Sequence, residues 1–486
     1  MIANTHPFHS HATFISQALP SAQLASGVDV AVTSCTNQST AVRPGDAFVV
    51  CQNNTLAADI AREAVERGAT AVIAEQYLPV FGVPQYLVDD ASQAYSELCN
   101  ALLGHPGREL NPIAIAGTHG KTSIAMLVDS IFNMAKRPVA TATNQFTRVD
   151  GECQALLPPT TAPAIADFVD EALASGCRQA VVELDEQTLH TQAASAIEFD
   201  VVCLANMHGD SNSPENAAAQ REQQAMALDL LSPQGMAVLN ADDPNSMRVL
   251  AEYDGPALTF GLSDAADITA LVTEQYVNEQ TFVLICGDES AAVRAKVVGE
   301  THVQNCLAAA AIAKVYGISL TDIVRGIERV TVIPGVMHRF DAGLGVSVFV
   351  DRGNSAIARS SALKNVREVT TGDMYVVVDH QCVVTDTLAD RTIATSCLQD
   401  CRVVTNAVAR VLAALEVTND EHLRTIVQKL GGVAQALLLA EEGDTVVVSG
   451  WGTLVPNGRR ATTAVTEEQL LQSLMYEIAS EWKRAA

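Results

Sequence analysis

Two glycines, a lysine and two hydroxyl side chains are packed into Gly117-Thr118-His119-Gly120-Lys121-Thr122-Ser123, a combination suited to gripping phosphate. Glycines at 117 and 120 let main-chain N–H groups approach anionic oxygens, and a helix starting here adds the positive end of its dipole. Lys121 supplies a point charge and the Thr122 hydroxyl can ligate magnesium, which together describe a nucleoside triphosphate cradle. The position five before Gly120 is Ile115 instead of glycine, so the cradle is shorter than the standard loop. A cation held there needs further oxygen or imidazole ligands. Glu183 is the first candidate, with Asp185 and Glu186 behind it and His208 and Asp210 beyond the next apolar run. Thr160-Thr161 can cap a helix or offer hydroxyls to a ligand, and Asn305 sits in a helical stretch where a buried amide is equally at home.

Strands and helices must hold these residues in place. Ile113 to Ala116 reads as a strand entering the cradle, and Ile124 to Met134 as the helix leaving it. Further strands are expected at Ala180 to Leu184, Val201 to Ala205, Met236 to Asn240 and Phe282 to Cys286, with helices at Ala164 to Ala174 and Val303 to Tyr316. This alternation argues for a mainly parallel sheet covered on both faces, taking ligands at its strand ends. Upstream, the turn Arg43-Pro44-Gly45-Asp46 precedes a strand at Ala47 to Val50, a helix at Ala57 to Gly68 and a strand at Ala69 to Ala74. Downstream, strands at Val346 to Val350, Met374 to Val378, Arg402 to Thr405 and Thr445 to Ser449 go with helices at Asn406 to Leu415, Glu421 to Leu430 and Glu467 to Arg484. The expected fold class is α/β with three domains in series. These are a small N-terminal α/β domain over 1–110, a central P-loop parallel-sheet domain over 111–335 and a C-terminal Rossmann-like domain over 336–486.

Composition narrows the classes of function. The 486 residues are 48% hydrophobic and 18% charged, as in a folded globular chain and unlike a disordered one. Lys and Arg total 30 against 56 Asp and Glu, and a net charge of -26 repels a phosphate backbone, so general nucleic-acid binding is not expected. The eleven cysteines contain no Cys-x-x-Cys, which argues against a disulfide framework or zinc site and fits reduced thiols in a cytoplasmic compartment. No apolar run approaches the ~18 residues of a membrane span, and the N-terminus lacks an export signal's pattern.

Taken in order, these segments resemble the Mur ligase family, the ATP-dependent amide-forming enzymes of peptidoglycan precursor synthesis. The resemblance spans nearly all of the chain. It is carried by the cradle, Glu183, Asn206 with Asp210, Asn240-Ala241-Asp242-Asp243-Pro244, Asn305-Cys306-Leu307-Ala308-Ala309 and Pro334-Gly335. Val42-Arg43-Pro44-Gly45-Asp46-Ala47-Phe48-Val49, Gly68-Ala69-Thr70-Ala71-Val72 and Thr160-Thr161 look most like the branch that adds the third amino acid to UDP-N-acetylmuramoyl-L-alanyl-D-glutamate.

The resemblance implies an ADP-forming ligase that passes through an acyl phosphate, with ATP and Mg2+ as cofactors and a UDP-N-acetylmuramoyl-peptide and an amino acid as partners. It gives Gly117 to Ser123 to ATP and Thr122, Glu183 and His208 to the metal, with Lys121, Glu183 and Asp210 catalytic. By the same resemblance Asn305 approaches adenine, Arg339 and Asp351 contact the nucleotide, and Ser39, Thr160 and Thr161 hold the UDP-linked peptide. The chain departs from the family pattern in several places. Gln224 stands where most branches carry a carbamylated lysine for a second magnesium, and Asp210-Ser211 replaces an Asp-His pair. Asp351-Arg352-Gly353-Asn354 and Thr405-Asn406-Ala407 lack the motifs of the amino-acid end. These departures favour a second reading, a ligase-like protein that binds nucleotide or precursor without coupling them. The intact Lys121, Thr122 and Glu183 favour the enzyme, and the identity of the added amino acid is not written in the sequence.

Overall fold

Apolar runs that alternate with amphipathic stretches give, in the computed structural model, two compact units: Met1–Asp267 with Ala308–Ile323, and Ile268–Leu307 with Val324–Ala486. The structure describes residues 12–51, 56–149, 151–154, 160–208, 214–333, 335–341, 345–351, 353, 356–378, 389–394, 421–449, 454–455, 465–466 and 471–478.

The first unit opens with a five-stranded sheet in the order Gln23–Ser26, Gln85–Leu87, Ala71–Ala74, Ala47–Val49, Cys35–Thr36. Its first pair is antiparallel and the others are parallel. Ala47–Val49 and Ala71–Ala74 are apolar at every position because both faces of the sheet are covered. Phe48 and Val72 pack with Ala57, Ala61 and Ala64 of the helix Ala57–Glu66. Val49 and Ile73 point the other way and pack with Ala94 and Leu98 of the helix Ala91–Leu102. Asp46 fixes the turn before the central strand: its carboxylate accepts from Arg43 N at 2.7 Å and from the Ser34 hydroxyl.

A larger sheet follows in the same unit. Its order is Glu152–Gln154, Thr147–Val149, Val139–Ala142, Gln179–Glu183, Asn111–Ala116, Phe199–Leu204, Leu231–Asn240, Ala257–Phe260. The first two pairings in this order are antiparallel and the rest are parallel. Asn111–Ala116 lies between Gln179–Glu183 and Phe199–Leu204, so the chain changes winding direction at its carboxyl end, where open α/β sheets take their ligands. The core is continuous between the two sheets. Leu98 and Leu102 belong to one buried cluster with Ile165, Val169, Val182 and Leu204. The buried Ser96 hydroxyl donates to Ala193 O at 3.0 Å and accepts from Ala196 N at 3.2 Å, which fixes the joint.

In the second unit, Ile268–Tyr276, Glu279–Cys286 and Glu289–Ala295 form an antiparallel meander. This corrects the expectation that Phe282 to Cys286 joins a parallel sheet. Connections of two residues, Val277-Asn278 and Gly287-Asp288, can only reverse the chain, whereas parallel neighbours need a long crossover. The C-terminal sheet runs His338–Asp341, Ser347–Asp351, Thr445–Ser449, Met374–Val378, Arg391–Ala394, parallel except at its first pair. The helix expected to stop at Leu430 continues to Leu439 through Gly431 and Gly432. Burial of Val433, Ala434 and Leu437 outweighs a helix-propensity cost of about 1 kcal/mol per glycine. The expected strand at Arg402 to Thr405 and helix at Asn406 to Leu415 lie outside the described residues.

Candidate active site

The helix Lys121–Met134 begins directly behind the strand Asn111–Ala116, and Gly120, left-handed at φ 82°, makes the turn between them. Gly117 is also required. At φ +135° a Cβ there would lie 2.9 Å from Asn206 O, so the loop can press against the neighbouring strand end only without a side chain. Asn206 is buried and holds this loop from beneath. Its Oδ1 accepts from Thr118 N at 3.0 Å and His119 N at 3.2 Å, while its Nδ2 donates to His119 O at 2.9 Å. Lys121 Nζ folds back to donate to Gly117 O at 2.7 Å, which places its charge over the loop. The Ser123 hydroxyl is buried in the first helical turn without a hydrogen-bond partner. Burial first, then the nearby His208 ring 5.6 Å away, lowers the His119 pKa to about 4, so the imidazole stays neutral.

Glu183 ends the adjacent strand and is buried. Its Oε2 accepts from Thr122 Oγ1 at 2.8 Å and from Asn144 N at 3.2 Å. Asn144 belongs to a loop that Thr143 Oγ1 stabilises by accepting from Gln145 N at 3.1 Å and Phe146 N at 3.0 Å. That loop is tied back to the cradle helix: Arg148 pairs with the buried Asp129, which also accepts from Thr141 Oγ1 at 3.1 Å. Burial pushes the Asp129 carboxyl up against the opposing pull of Arg148. Thr122, Glu183, Asn144, Arg148 and Asp129 thus close a ring that begins and ends on one helix.

The loop after Phe199–Leu204 brings Asn206 and His208 to the opposite side of the cradle. It rests on Asn240-Ala241-Asp242-Asp243-Pro244, which the structure explains as scaffolding. Asn240 Nδ2 donates to Ala205 O at 3.0 Å, and Asp243 Oδ2 accepts from Met207 N at 2.7 Å while capping the helix Pro244–Glu252. His208 meets the cradle through its backbone, its O accepting from Thr118 Oγ1 at 2.6 Å. Gln224 joins them: its Nε2 donates to Thr118 Oγ1 at 3.1 Å, and its Oε1 is buried without a partner. Asp210 lies outside the described residues. Among the described residues, no group of three or more His, Cys, Asp or Glu is arranged to hold a metal.

These residues fit a nucleotide and a hard cation. The helix N-terminus at residue 121, Lys121 and the orphan Ser123 hydroxyl would meet an anion, and Thr122 with Glu183 would supply two oxygen ligands. Two suffice for magnesium, which keeps most of its shell as water and phosphate oxygen.

Thr160 and Thr161 line a cavity of about 680 Å³ in the first unit, with Asn37, Gln38, Gln187 and His190. Thr161 occupies the cap position of the helix Ala162–Ala174 without a capping side-chain bond, so its hydroxyl is left for the cavity. Ser39 lines an adjoining recess of about 250 Å³ that shares Asn37 and Gln38, and its hydroxyl donates to Glu63 Oε2 at 2.7 Å. Thr160 and Thr161 therefore share one cavity, and Ser39 lines the recess beside it. Gln187, His190 and the Asn144 amide were not singled out from the sequence. A backbone N–H has no residue-type signature, and Gln187 and His190 gain meaning only once their short helix faces Asn37 and Gln38.

Asn305, Arg339 and Asp351 belong to the second unit. Asn305 is a buried amide on the helix Glu300–Val315. Arg339 Nε donates to Ser347 Oγ at 3.3 Å. Burial raises the Asp351 pKa, although its carboxylate accepts from Met337 N at 3.2 Å and Gly353 N at 2.8 Å.

A parallel sheet with a Gly-Lys-Thr loop at its switch point and a carboxylate one strand away is an α/β arrangement whose strand ends suit an anionic ligand. The profile described as "Mur ligase middle domain" matches residues 115–313. The UDP-N-acetylmuramoyl-L-alanyl-D-glutamate--2,6-diaminopimelate ligase of Bacillus licheniformis is 28% identical over 446 residues, 87% of this chain and 90% of that protein. The Streptomyces coelicolor ligase of the same name is 26% identical over 469 residues, 90% of this chain and 92% of its own. Among solved structures, one ligase of that name superposes with a TM-score of 0.66 at 18% identity, covering 96% of this chain and 99% of the other. The folylpolyglutamate synthase of Mycobacterium tuberculosis, complexed with ADP and AMPPCP, gives 0.56 at 18% identity over 81% of this chain and 95% of its own. Residues 115–313 thus match the middle domain of Mur ligases, and most of the chain is similar to ligases of that family. The chain's α/β, multidomain fold is that of the family's solved structures.

Proposed function

We propose that this protein is an ATP-dependent, ADP-forming ligase that adds one amino acid to a UDP-N-acetylmuramoyl-peptide. The observation that supports the reading is the Thr122–Glu183 hydrogen bond of 2.8 Å beside the glycine loop, a hydroxyl–carboxylate pair of the kind that can ligate a cation. Residues 117–123 would hold the triphosphate, with Lys121 turning from Gly117 O toward the phosphates. Thr122 and Glu183 would hold Mg2+, which when bound neutralises charge on the transferred phosphoryl group. Ser39, Thr160 and Thr161 would hold the UDP-linked peptide so that its terminal carboxylate reaches the phosphorus.

A carboxylate oxygen then bonds to the γ-phosphorus as the bond to ADP breaks. The incoming amine attacks the acyl carbon, loses a proton and expels phosphate. Holding the partners in line is most of what such a site contributes. The roles of Asp210, His208, Asn305, Arg339 and Asp351 remain those that the resemblance implies. Residues 1–110, 111–335 and 336–486 are proposed as precursor, nucleotide and ligase domains. Among the described residues, no helix is long and apolar enough to cross a membrane.

The deciding assay incubates the full chain with ATP, Mg2+, UDP-muramoyl dipeptide and a mixed amino-acid pool. Amino-acid-dependent ADP release with a UDP-linked product one residue heavier is the expected result. Nucleotide binding without product would favour the non-coupling reading that Gln224 suggests.

A further inference from the structure

Two thiols meet at the edge of the large cavity. Cys35, half-buried on the strand Cys35–Thr36, lines it, and its Sγ lies 3.6 Å from Sγ of Cys99, buried in the helix Ala91–Leu102. A third thiol, Cys51, lines the same cavity but is otherwise engaged, donating to Ala91 O at 3.8 Å and accepting from Asn37 Nδ2 at 3.9 Å. We propose that Cys35 and Cys99 are a peroxide-responsive dithiol whose oxidation to a disulfide weakens binding in this cavity. The cavity's identity as the precursor pocket rests on the reading given above.

Access and contact assign the order of events. Peroxide reaches Cys35 through the cavity. The Cys35 thiol gives its sulfur electron pair to hydrogen peroxide, the O–O bond breaks, and sulfenic acid and one water form. Cys99 sulfur then attacks the Cys35 sulfur, losing its proton as hydroxide leaves and becomes the second water. Two thiols and one peroxide thus yield one disulfide and two waters. The thiol–thiol contact and burial both raise the Cys99 pKa, so Cys99 rests as a thiol until Cys35 is oxidised. Cys51 is turned instead to Ala91 O and Asn37 Nδ2, which leaves Cys99, in contact with Cys35, as the attacking sulfur.

A disulfide needs its sulfurs at about 2.05 Å, so this pair must close by roughly 1.5 Å. Cys99 is set in a helix anchored by Ser96, so the short strand with Cys35 is the side that yields. That strand leads directly into Thr36, Asn37 and Gln38, which line the cavity, and its displacement would distort the wall the precursor touches.

The test treats the full-length protein with hydrogen peroxide and maps it by non-reducing digestion and mass spectrometry. A Cys35–Cys99 cross-link two hydrogens lighter than the thiol pair is expected. With it should come a tenfold or greater loss of affinity for UDP-muramoyl dipeptide, restored by dithiothreitol. Cys99→Ala should bind the dipeptide as wild type does and lose the peroxide response. Conversion of wild-type Cys35 to sulfinic acid without a cross-link, or undiminished peroxide sensitivity in Cys99→Ala, would overturn the proposal. Protection of Cys35 from iodoacetamide by the dipeptide separately tests the pocket. A cross-link that forms while the dipeptide gives no protection leaves the dithiol standing and refutes the precursor assignment.

Discussion

At the scale of single residues, the loop of the proposed cradle is held in shape by separate contacts. Asn206 holds the loop amides at 118 and 119, Gly117 leaves room for that contact, and Lys121 is parked on a loop carbonyl. Lys121→Ala should abolish tight ATP binding measured by calorimetry, while thermal stability changes little. Unchanged affinity would place the triphosphate elsewhere. His119 gives a pH signature. Its folded pKa of about 4 lies below the ordinary 6.5, so between those values the unfolded chain takes up a proton that the folded chain refuses. Stability therefore falls on acidification across that window, by about 2 kcal/mol between pH 7 and pH 4.5 from this group alone. Urea midpoints at the two pH values should show a correspondingly smaller loss in His119→Asn. The cradle residues were legible in the sequence because phosphate chemistry demands particular residue types at fixed spacing. Asn206 could be quoted only through the resemblance, since its role depends on a strand brought alongside from almost ninety residues away, as the Thr118–Asn206 hydrogen bond records.

At the scale of elements, the Asp129–Arg148 pair extends the grip on Glu183 to a hairpin that the sequence did not reveal. The strands Thr147–Val149 and Glu152–Gln154 are three residues each, too short for a readable alternation. Arg148→Met should release the Asn144 loop and raise the Mg2+ concentration needed for half-maximal ADP formation several-fold at nearly constant saturated rate. Arg148→Lys should recover part of it, and an equal fall in rate at all Mg2+ concentrations would contradict the clamp. The central strands and helices were readable because covered parallel strands are continuously apolar. The meander was misassigned because an apolar run such as Phe282 to Cys286 carries no mark of direction. That mark is in the turns, where two residues leave no room for a crossover.

At the scale of the whole molecule, the proposed site for anions belongs to a chain with a net charge of -26. Lengthening the Debye length from about 10 Å to about 30 Å by lowering salt brings more of that charge into play. Association of a fluorescent ATP analogue, followed by stopped flow, should therefore speed up as NaCl rises from 10 to 100 mM. Slowing would show that Lys121 and its neighbours dominate the approach. The first unit also has one buried cluster running through both of its sheets. An isolated fragment of residues 1–110 should accordingly bind a hydrophobic dye and lack a cooperative melting transition, because Leu98 and Leu102 lose the partners that cover them. The helix Ala91–Leu102 is a shared wall, and this constrains how such proteins can be recombined. A chimera that borrows its first 110 residues from a relative would import one half of a fitted joint. It would have to bring along the matching face around Ile165 and Val169, so that a change in what the proposed precursor cavity accepts would have to arise in its lining and leave that joint intact.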